Sequence, residues 1–126
     1  MQTTATKSVI TDWLADLFAR AKQAALDADP GDGPENDGGT CNLDTPAFRA
    51  KGCRSSVIQA AAERAGLSVS EFHWFGGKRW WWLHVPLLGQ ANRRATMAEA
   101  AARVLREAAE SGEWPAFGAC LYCQMD

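Results

Sequence analysis

The stretch VSEFHWFGGKRWWWLHV, residues 69–85, decides the fold. Val69 to Phe75 and Trp80 to Val85 are rich in β-branched and aromatic residues, which is typical of strands. Gly76-Gly77-Lys78-Arg79 between them has the composition of a hairpin connection. We therefore predict two strands that pair antiparallel.

A strand and a helix are predicted upstream of this hairpin. Thr40 to Phe48 has the pattern of a short strand that ends near Pro46. A capping box that begins at Ser56 opens a helix from Val57 to Ala65, and Gly66 supplies its stop.

Downstream of the hairpin the pattern is again helix and then strand. A capping box that begins at Thr96 opens a helix from Met97 to about Glu110, which stops at Gly112, and Trp114 to Met125 forms a last strand. The complete order is β-α-β-β-α-β. This order predicts an α+β, ferredoxin-like domain over residues 40–126, with a four-stranded antiparallel sheet, helices on one face and the other face open.

The N-terminal segment adds a helix to this domain. Apolar residues recur at helical spacing within residues 8–27, which predicts an amphipathic helix in a segment that we bound at residues 1–28. Residues 29–39 consist of turn formers and acids without a large apolar side chain, so we predict a flexible linker there. The apolar stripe of the helix contains Ile10, Trp13, Leu14, Leu17, Phe18, Ala21 and Ala25.

The composition is that of a single globular domain. The 126 residues are 47% apolar and 22% charged, and no apolar run reaches the roughly 20 residues that span a bilayer. The N-terminus lacks the pattern of a secretory signal, so we predict a cytoplasmic protein without a membrane partner. Four cysteines are too few and too scattered for a disulfide scaffold, which favours reduced thiols.

The net charge of −2 is unevenly distributed. Residues 1–37 carry −4 and residues 38–126 carry +2. A domain so close to neutral does not have the strongly basic footprint of a protein that binds nucleic acid through bulk electrostatics. A nucleic-acid partner is therefore possible from the sequence but not favoured.

Strand alternation predicts which side chains lie on the open face. On the third strand Trp81, Leu83 and Val85 are predicted to face the core, which leaves Trp80, Trp82 and His84 outside. The second strand is ambiguous, with either Glu71 and His73 or Phe72 and Trp74 on the open face. The first and last strands are predicted to add Thr40, Asn42, Asp44, Cys120, Tyr122 and Gln124.

Exposed tryptophans on a sheet usually mark an interface. The N-terminal helix or a second copy in a homodimer would cover them. Alternatively, Trp80, Trp82 or Tyr122 would stack on the bases of a single-stranded nucleic acid.

The loop before the last helix has the composition of an anion site. Gly89 to Arg94 contains two amides, Gln90 and Asn92, and two guanidiniums, Arg93 and Arg94, directly before a predicted helix N-terminus. We expect it to bind phosphate or carboxylate. The alternative is that both arginines are solvated or paired with nearby acids.

Catalytic and metal sites have weaker support. Cys120 and Cys123 form a CxxC, but residues three apart on a strand face opposite sides, so we assign no metal and no cofactor. His84 has candidate acid–base or nucleophile partners in Asp44, Cys41 and Cys120, but no spacing distinguishes these pairs from chance neighbours. We assign no catalytic residue.

Three motifs carry a resemblance to known proteins. GGTCNLD at residues 38–44, GQANRR at 89–94 and YCQMD at 122–126 resemble motifs in small proteins encoded by tailed phages and prophages. Leu43, Ala91 and Cys123 depart from the pattern of that group. The resemblance implies a viral setting in the cytoplasm of a host cell. In the predicted fold these motifs bring Asn42, Asp44, Tyr122 and Gln124 together near the arginine loop.

The sequence therefore favours a small non-catalytic phage or prophage binding protein. We expect it to antagonise a host defence system, as anti-CRISPR proteins do, by gripping a host protein effector or by sequestering a small anionic nucleotide. The nucleotide would contact Arg93 and Arg94 through its phosphate and Trp80 or Trp82 through its base. The alternatives are a single-stranded nucleic-acid-binding module that uses the sheet face and a phosphoester hydrolase that uses Asp44 and His84.

Overall fold

Among the residues that the structure describes, three helices and four strands follow each other in the predicted order. The computed structural model describes residues 3–31, 45–74, 77–85, 91–112 and 117–122. Their elements are α1 (Thr3–Asp27), β1 (Thr45–Ala50), α2 (Ser55–Arg64), β2 (Ser68–Trp74), β3 (Lys78–His84), α3 (Ala91–Ser111) and β4 (Phe117–Tyr122).

The four strands form one antiparallel sheet of order β2-β3-β1-β4. The hairpin of β2 and β3 places Phe72 opposite Trp80. The central strand β1 places Ala47 opposite Trp82 of β3 and opposite Cys120 of β4. This order confirms the α+β, ferredoxin-like fold, and it places β2 and β4 at the two edges.

The core lies between the sheet and a layer of three helices. Phe48 of β1 is its centre, with ring centroids 5.1 Å from Phe18, 5.7 Å from Phe117 and 6.5 Å from Trp81. All four side chains are at most 5% exposed. The predicted inward residues of β3 are confirmed, because Trp81, Leu83 and Val85 are all buried.

The N-terminal helix belongs to this same layer. Leu14, Leu17 and Phe18 are at most 1% exposed, and α1 packs against both α2 and α3. Trp13 makes an edge contact with Phe117 at 5.4 Å. The apolar stripe of α1 is therefore buried on the helix side of the sheet, and α1 does not cover the open face. The acidic linker stays a prediction, because residues 32–44 lie outside the described residues.

The N-terminal ends of α2 and α3 differ from the prediction. α3 begins at Ala91, so Thr96 lies inside the helix and the arginines predicted in a loop belong to its first turns. α2 begins at Ser55 after Arg54, which makes no side-chain cap. The Ser55 hydroxyl instead accepts a hydrogen bond from Arg79 at 3.2 Å. Capping-box residues are also ordinary helix-interior residues, so the motif alone does not fix a boundary.

The stop of α2 follows the prediction. The N–H of Gly66 donates to the Glu63 carbonyl, and the N–H of Leu67 donates to the Ala62 carbonyl at 2.8 Å. Gly66 has a φ of 75°, so the pair of bonds forms a Schellman motif that only glycine adopts without strain.

Pro46 lies inside β1 rather than at its end. It pairs with Leu121 of β4, whereas the pairing of β1 with β3 begins at Ala47. Proline has no N–H to donate, and at this position the ladder towards β3 has not begun, so the strand tolerates it. β1 therefore continues past the predicted end to Ala50.

Candidate ligand-binding face

The side of the sheet opposite the helices is here called the open face. Strand alternation determines which residues lie on it. Phe48 and Trp81 are paired neighbours that both point into the core, so their chain neighbours point the other way. The described residues that share the open face are Thr45, Ala47, Arg49, Ser68, Ser70, Phe72, Trp74, Lys78, Trp80, Trp82, His84, Gly118 and Cys120.

Four aromatic residues form a continuous patch on this face, here called the aromatic cluster: Phe72, Trp74, Trp80 and Trp82. The Phe72 and Trp82 rings stack with centroids 4.4 Å apart and an interplanar angle of 15°. Trp74 makes an edge contact with Trp80 at 5.2 Å, and Phe72 lies 5.6 Å from Trp74. Each ring is partly exposed. The ambiguity of the second strand is thus resolved in favour of Phe72 and Trp74.

The charge of the open face differs from that of the whole chain. Its described residues include the cations Arg49 and Lys78, and Arg94 of α3 reaches its end at Thr45. None of the described residues on this face carries a carboxylate. The described part of the face is therefore basic although the protein has a net charge of −2.

Arg94 and His84 form a polar group at one end of the open face. The Nη2 atom of Arg94 lies 3.5 Å from the Thr45 hydroxyl oxygen. Its Nε atom is buried and finds no hydrogen-bond partner within the part of the chain that the structure describes. The arginine therefore retains a donor that is costly to leave unsatisfied.

His84 joins this group through the adjacent strand. Its Nε2 atom lies 2.7 Å from the Ser70 hydroxyl oxygen. Partial burial lowers the pKa of His84, and the positive charge of Arg94 lowers it further. The imidazole is therefore held neutral at pH 7 and becomes a second cation only at lower pH, or when an anion binds beside it.

The Ser70–His84 pair supplies part of a nucleophile and base arrangement. Among the described residues, however, none hydrogen-bonds the other ring nitrogen of His84, the position that an orienting acid occupies in a catalytic triad. Asp44, the predicted acid–base partner, lies outside the described residues. The described geometry thus gives a hydrogen-bonding pair rather than a catalytic triad.

Arg93 points to a different place. Its Nε and Nη2 atoms donate to the two carboxylate oxygens of Asp29 at 2.8 and 2.9 Å, and the two side chains are 16% and 20% exposed. The hydrogen bonds from Arg93 and from the Gly31 N–H lower the pKa of Asp29 to about 2. This bidentate pair joins the start of α3 to the end of α1. Arg93 is therefore paired with an acid, which was the predicted alternative to anion binding.

The other predicted site residues divide into two groups. Trp80, Trp82, His84 and Arg94 come together on or beside the open face. The backbone of Tyr122 lies opposite Thr45 on this face, and the backbone of Asn92 lies in the first turn of α3. Asn42, Asp44, Gln90 and Gln124 lie outside the described residues.

Sequence reasoning missed Arg49, Ser70 and Lys78. Arg49 was missed because the first strand was predicted to end near Pro46, and the predicted alternation, with Cys41 and Leu43 inward, would have turned Arg49 towards the helices. Phe48 lies in the core instead, so Arg49 lies on the open face. Lys78 was assigned to the hairpin connection. Ser70 carries no signal of its own, because its position beside His84 depends on the register between β2 and β3.

The described part of the chain has neither a cluster of metal ligands nor a membrane-spanning helix. No three of its histidine, cysteine, aspartate and glutamate side chains are grouped so that they could hold a metal ion. None of its helices is long and apolar enough to cross a membrane.

No family model, curated protein or solved structure matches the chain.

Proposed function

We propose that this chain is a non-catalytic binding protein whose open face holds a nucleotide. The base stacks on the aromatic cluster and the phosphate binds at Arg94 and His84. The observation that carries the proposal is the combination of four aromatic rings and three cations with no described carboxylate on one face.

The aromatic cluster supports base binding. Stacking of a base on an aromatic side chain contributes about 1–3 kcal/mol and tolerates any base, because every base has a π-face. Trp82 lies two residues from His84 on the same face of β3, so a base on Trp82 places its phosphate within reach of Arg94.

The arginine end supports phosphate binding. Arg94 brings its Nη2 atom to the end of the open face beside Thr45, and a guanidinium there binds a phosphate oxygen through charge-assisted hydrogen bonds. His84 gains a proton more readily beside an anion, which strengthens the same contact. The Ser70 hydroxyl keeps the imidazole in place.

The resemblance to phage and prophage proteins supports a setting for this activity. A protein that sequesters a nucleotide inside a host cell would deprive a defence system of its signal or substrate. We propose host-defence antagonism in that sense. Binding of a protein effector and formation of a homodimer would use the same aromatic surface and therefore compete with nucleotide binding.

Two substitutions test the site. Calorimetric titration of adenosine and uridine monophosphates, alone and as short single-stranded oligonucleotides, gives the affinity. We expect Arg94→Ala and Trp82→Ala each to weaken binding about tenfold or more, since a charge-assisted hydrogen bond or a stacked base contributes about 1.5–3 kcal/mol.

Arg103→Ala is the matched control, because Arg103 is an exposed arginine on the same helix as Arg94. It should change the affinity less than twofold by the usual scale of surface substitutions, about ±0.5 kcal/mol. Thermal melts of all variants establish that they fold. The proposal is wrong if folded Arg94→Ala binds as wild type does.

A further inference from the structure

The open face repeats one arrangement along β3. Trp82 stacks with Phe72, and Trp80, two residues earlier on the same face, contacts Trp74. Two residues of a strand span about 7 Å. The two tryptophans therefore offer two base-sized positions in a line.

The cations lie at both ends of this line. Arg94 is beside His84 at one end, and Lys78 begins β3 at the other. Arg49 lies opposite Gly118 and, by continuation of the register between β1 and β3, opposite Trp80. Arg49 therefore lies across the strand from Trp80, and Trp82 lies two residues from His84, beside which Arg94 lies.

Small residues lie along the central and edge strands next to the tryptophans. Ala47 is opposite both Trp82 and Cys120, and Gly118 is opposite Arg49. A hypothetical side chain atom on Gly118 would meet nothing within 4 Å. The open face is therefore low at Gly118 and leaves room there for a ligand backbone, whereas Ala47 is itself fully buried.

We infer that the ligand is a single-stranded nucleic acid that places at least two successive nucleotides along β3. The inference rests on the proposed nucleotide binding and extends it from one nucleotide to a strand. A mononucleotide would use Trp82 and Arg94 and leave Trp80, Arg49 and Lys78 without a role.

The spacing favours an unpaired strand over a duplex. Successive nucleotides in B-DNA advance about 3.4 Å per strand, about half the distance between the two tryptophans. Bases that stack on Trp80 and Trp82 are therefore splayed apart, as in single strands bound to aromatic sheets. Paired bases do not expose their faces to such rings.

Charge argues against a second copy of this chain as the occupant. In a twofold dimer the same patch meets itself, so the cations of one open face would face the cations of the other. The described part of the face offers no carboxylate to compensate for them. A polyanion matches this surface and a second copy does not.

A length series tests the inference. The ligands are dT and rU chains of one, two, four and six nucleotides. Their affinities are measured for the wild type, for Arg94→Ala and for the double variant Arg49→Ala, Lys78→Ala. We expect wild-type affinity to rise about tenfold or more from one nucleotide to four, as each added base stacks on a ring. Salt dependence is measured in parallel, with an expected slope of about −0.7 per phosphate contacted.

The variants separate the two ends of the site. The double variant should bind the mononucleotide as wild type does and lose the gain with length, whereas Arg94→Ala should weaken binding at every length. The matched control is the double variant Arg20→Ala, Arg103→Ala, which removes two exposed arginines from the helices.

The outcomes distinguish binding of a nucleic-acid strand from binding of a single nucleotide. Equal affinity for all lengths overturns the inference and leaves nucleotide binding intact. Absence of binding at every length overturns both. A salt-independent dimer that buries Trp80 and Trp82 also overturns the inference, because it assigns the open face to a second copy.

Discussion

At the scale of single residues, Arg93 and Arg94 are adjacent in sequence but have different partners. Successive positions of a helix are separated by about 100° around its axis, so neighbours point in different directions. Arg93 binds Asp29 at the end of α1, and Arg94 reaches Thr45 beside the open face. Of these two arginines, Arg94 is therefore the one placed to bind a ligand on the open face.

The Arg93–Asp29 pair predicts a specific dependence of stability on pH. The pKa of Asp29 is lowered to about 2 in the folded protein from 3.8. Its contribution to the free energy of unfolding is thus complete above about pH 3.8 and is lost as the pH falls through about 2.

Asp29→Asn should therefore lower the free energy of unfolding at pH 6 and have a smaller effect at pH 2, as measured by urea denaturation. Asp16→Asn is the matched control, because the Asp16–Arg20 pair lies within α1 and its side chains are 70% and 53% exposed. An equal effect of the two substitutions at pH 6 would refute a role for Arg93 in joining α1 to α3.

His84 gives a second prediction at this scale. Partial burial and Arg94 both lower its pKa, so Arg94→Ala should raise the pKa of His84 in an NMR titration. Because the unfolded chain takes up this proton first, the wild-type protein loses stability as the pH falls from the ordinary pKa of 6.5 through the lowered pKa.

Ligand binding should shift His84 in the opposite direction. A phosphate beside the imidazole favours its protonated form, so the pKa of His84 rises on binding and the affinity increases as the pH falls below 7. An affinity that does not change between pH 5 and 8 would place the phosphate away from His84.

At the scale of elements, α1 is an integral part of the core. Phe18 is fully buried and its ring contacts Phe48 at the centre of the sheet. The sequence predicts the helix from its apolar stripe, but a stripe does not say which surface will cover it. Both the open face and the helix layer were compatible with the pattern.

Substitution of Phe18 tests the position of α1. Phe18→Ala should lower the free energy of unfolding by about 3–5 kcal/mol, the usual cost of removing a buried phenyl ring. Val9→Ala on the same helix is the control, since Val9 is 54% exposed and should cost about 0.5 kcal/mol or less. A loss below about 1 kcal/mol for Phe18→Ala would contradict the packing of α1 on β1.

The boundaries of elements were harder to predict than their order. The order followed from alternation in the hairpin and from glycine stops such as Gly66, because these signals have a direct geometric cause. The start of α3 was predicted too late, because Gln90, which directly precedes the helix in sequence, is not a preferred capping residue, whereas Thr96 with Glu99 imitated a capping box.

At the scale of the whole molecule, net charge was a poor guide to the surface that matters. The value of −2 averages an acidic N-terminal segment with a basic sheet face. The basic face depends on register, because Arg49, Lys78 and Arg94 are far apart in sequence and come to one face only when β1, β3 and α3 are assembled. Trp80 and Trp82 were predictable from alternation and Arg94 from the arginine loop, whereas Arg49 and Lys78 were not predicted.

Indole NMR during titration with a tetranucleotide tests the central claim most directly, because it reports where on the molecule the ligand binds. The account predicts that the indole N–H signals of Trp80 and Trp82 shift as the ligand is added, while that of Trp13 on the helix side stays in place. A shift at Trp13 with none at Trp80 and Trp82, or no shift at any indole, would contradict it.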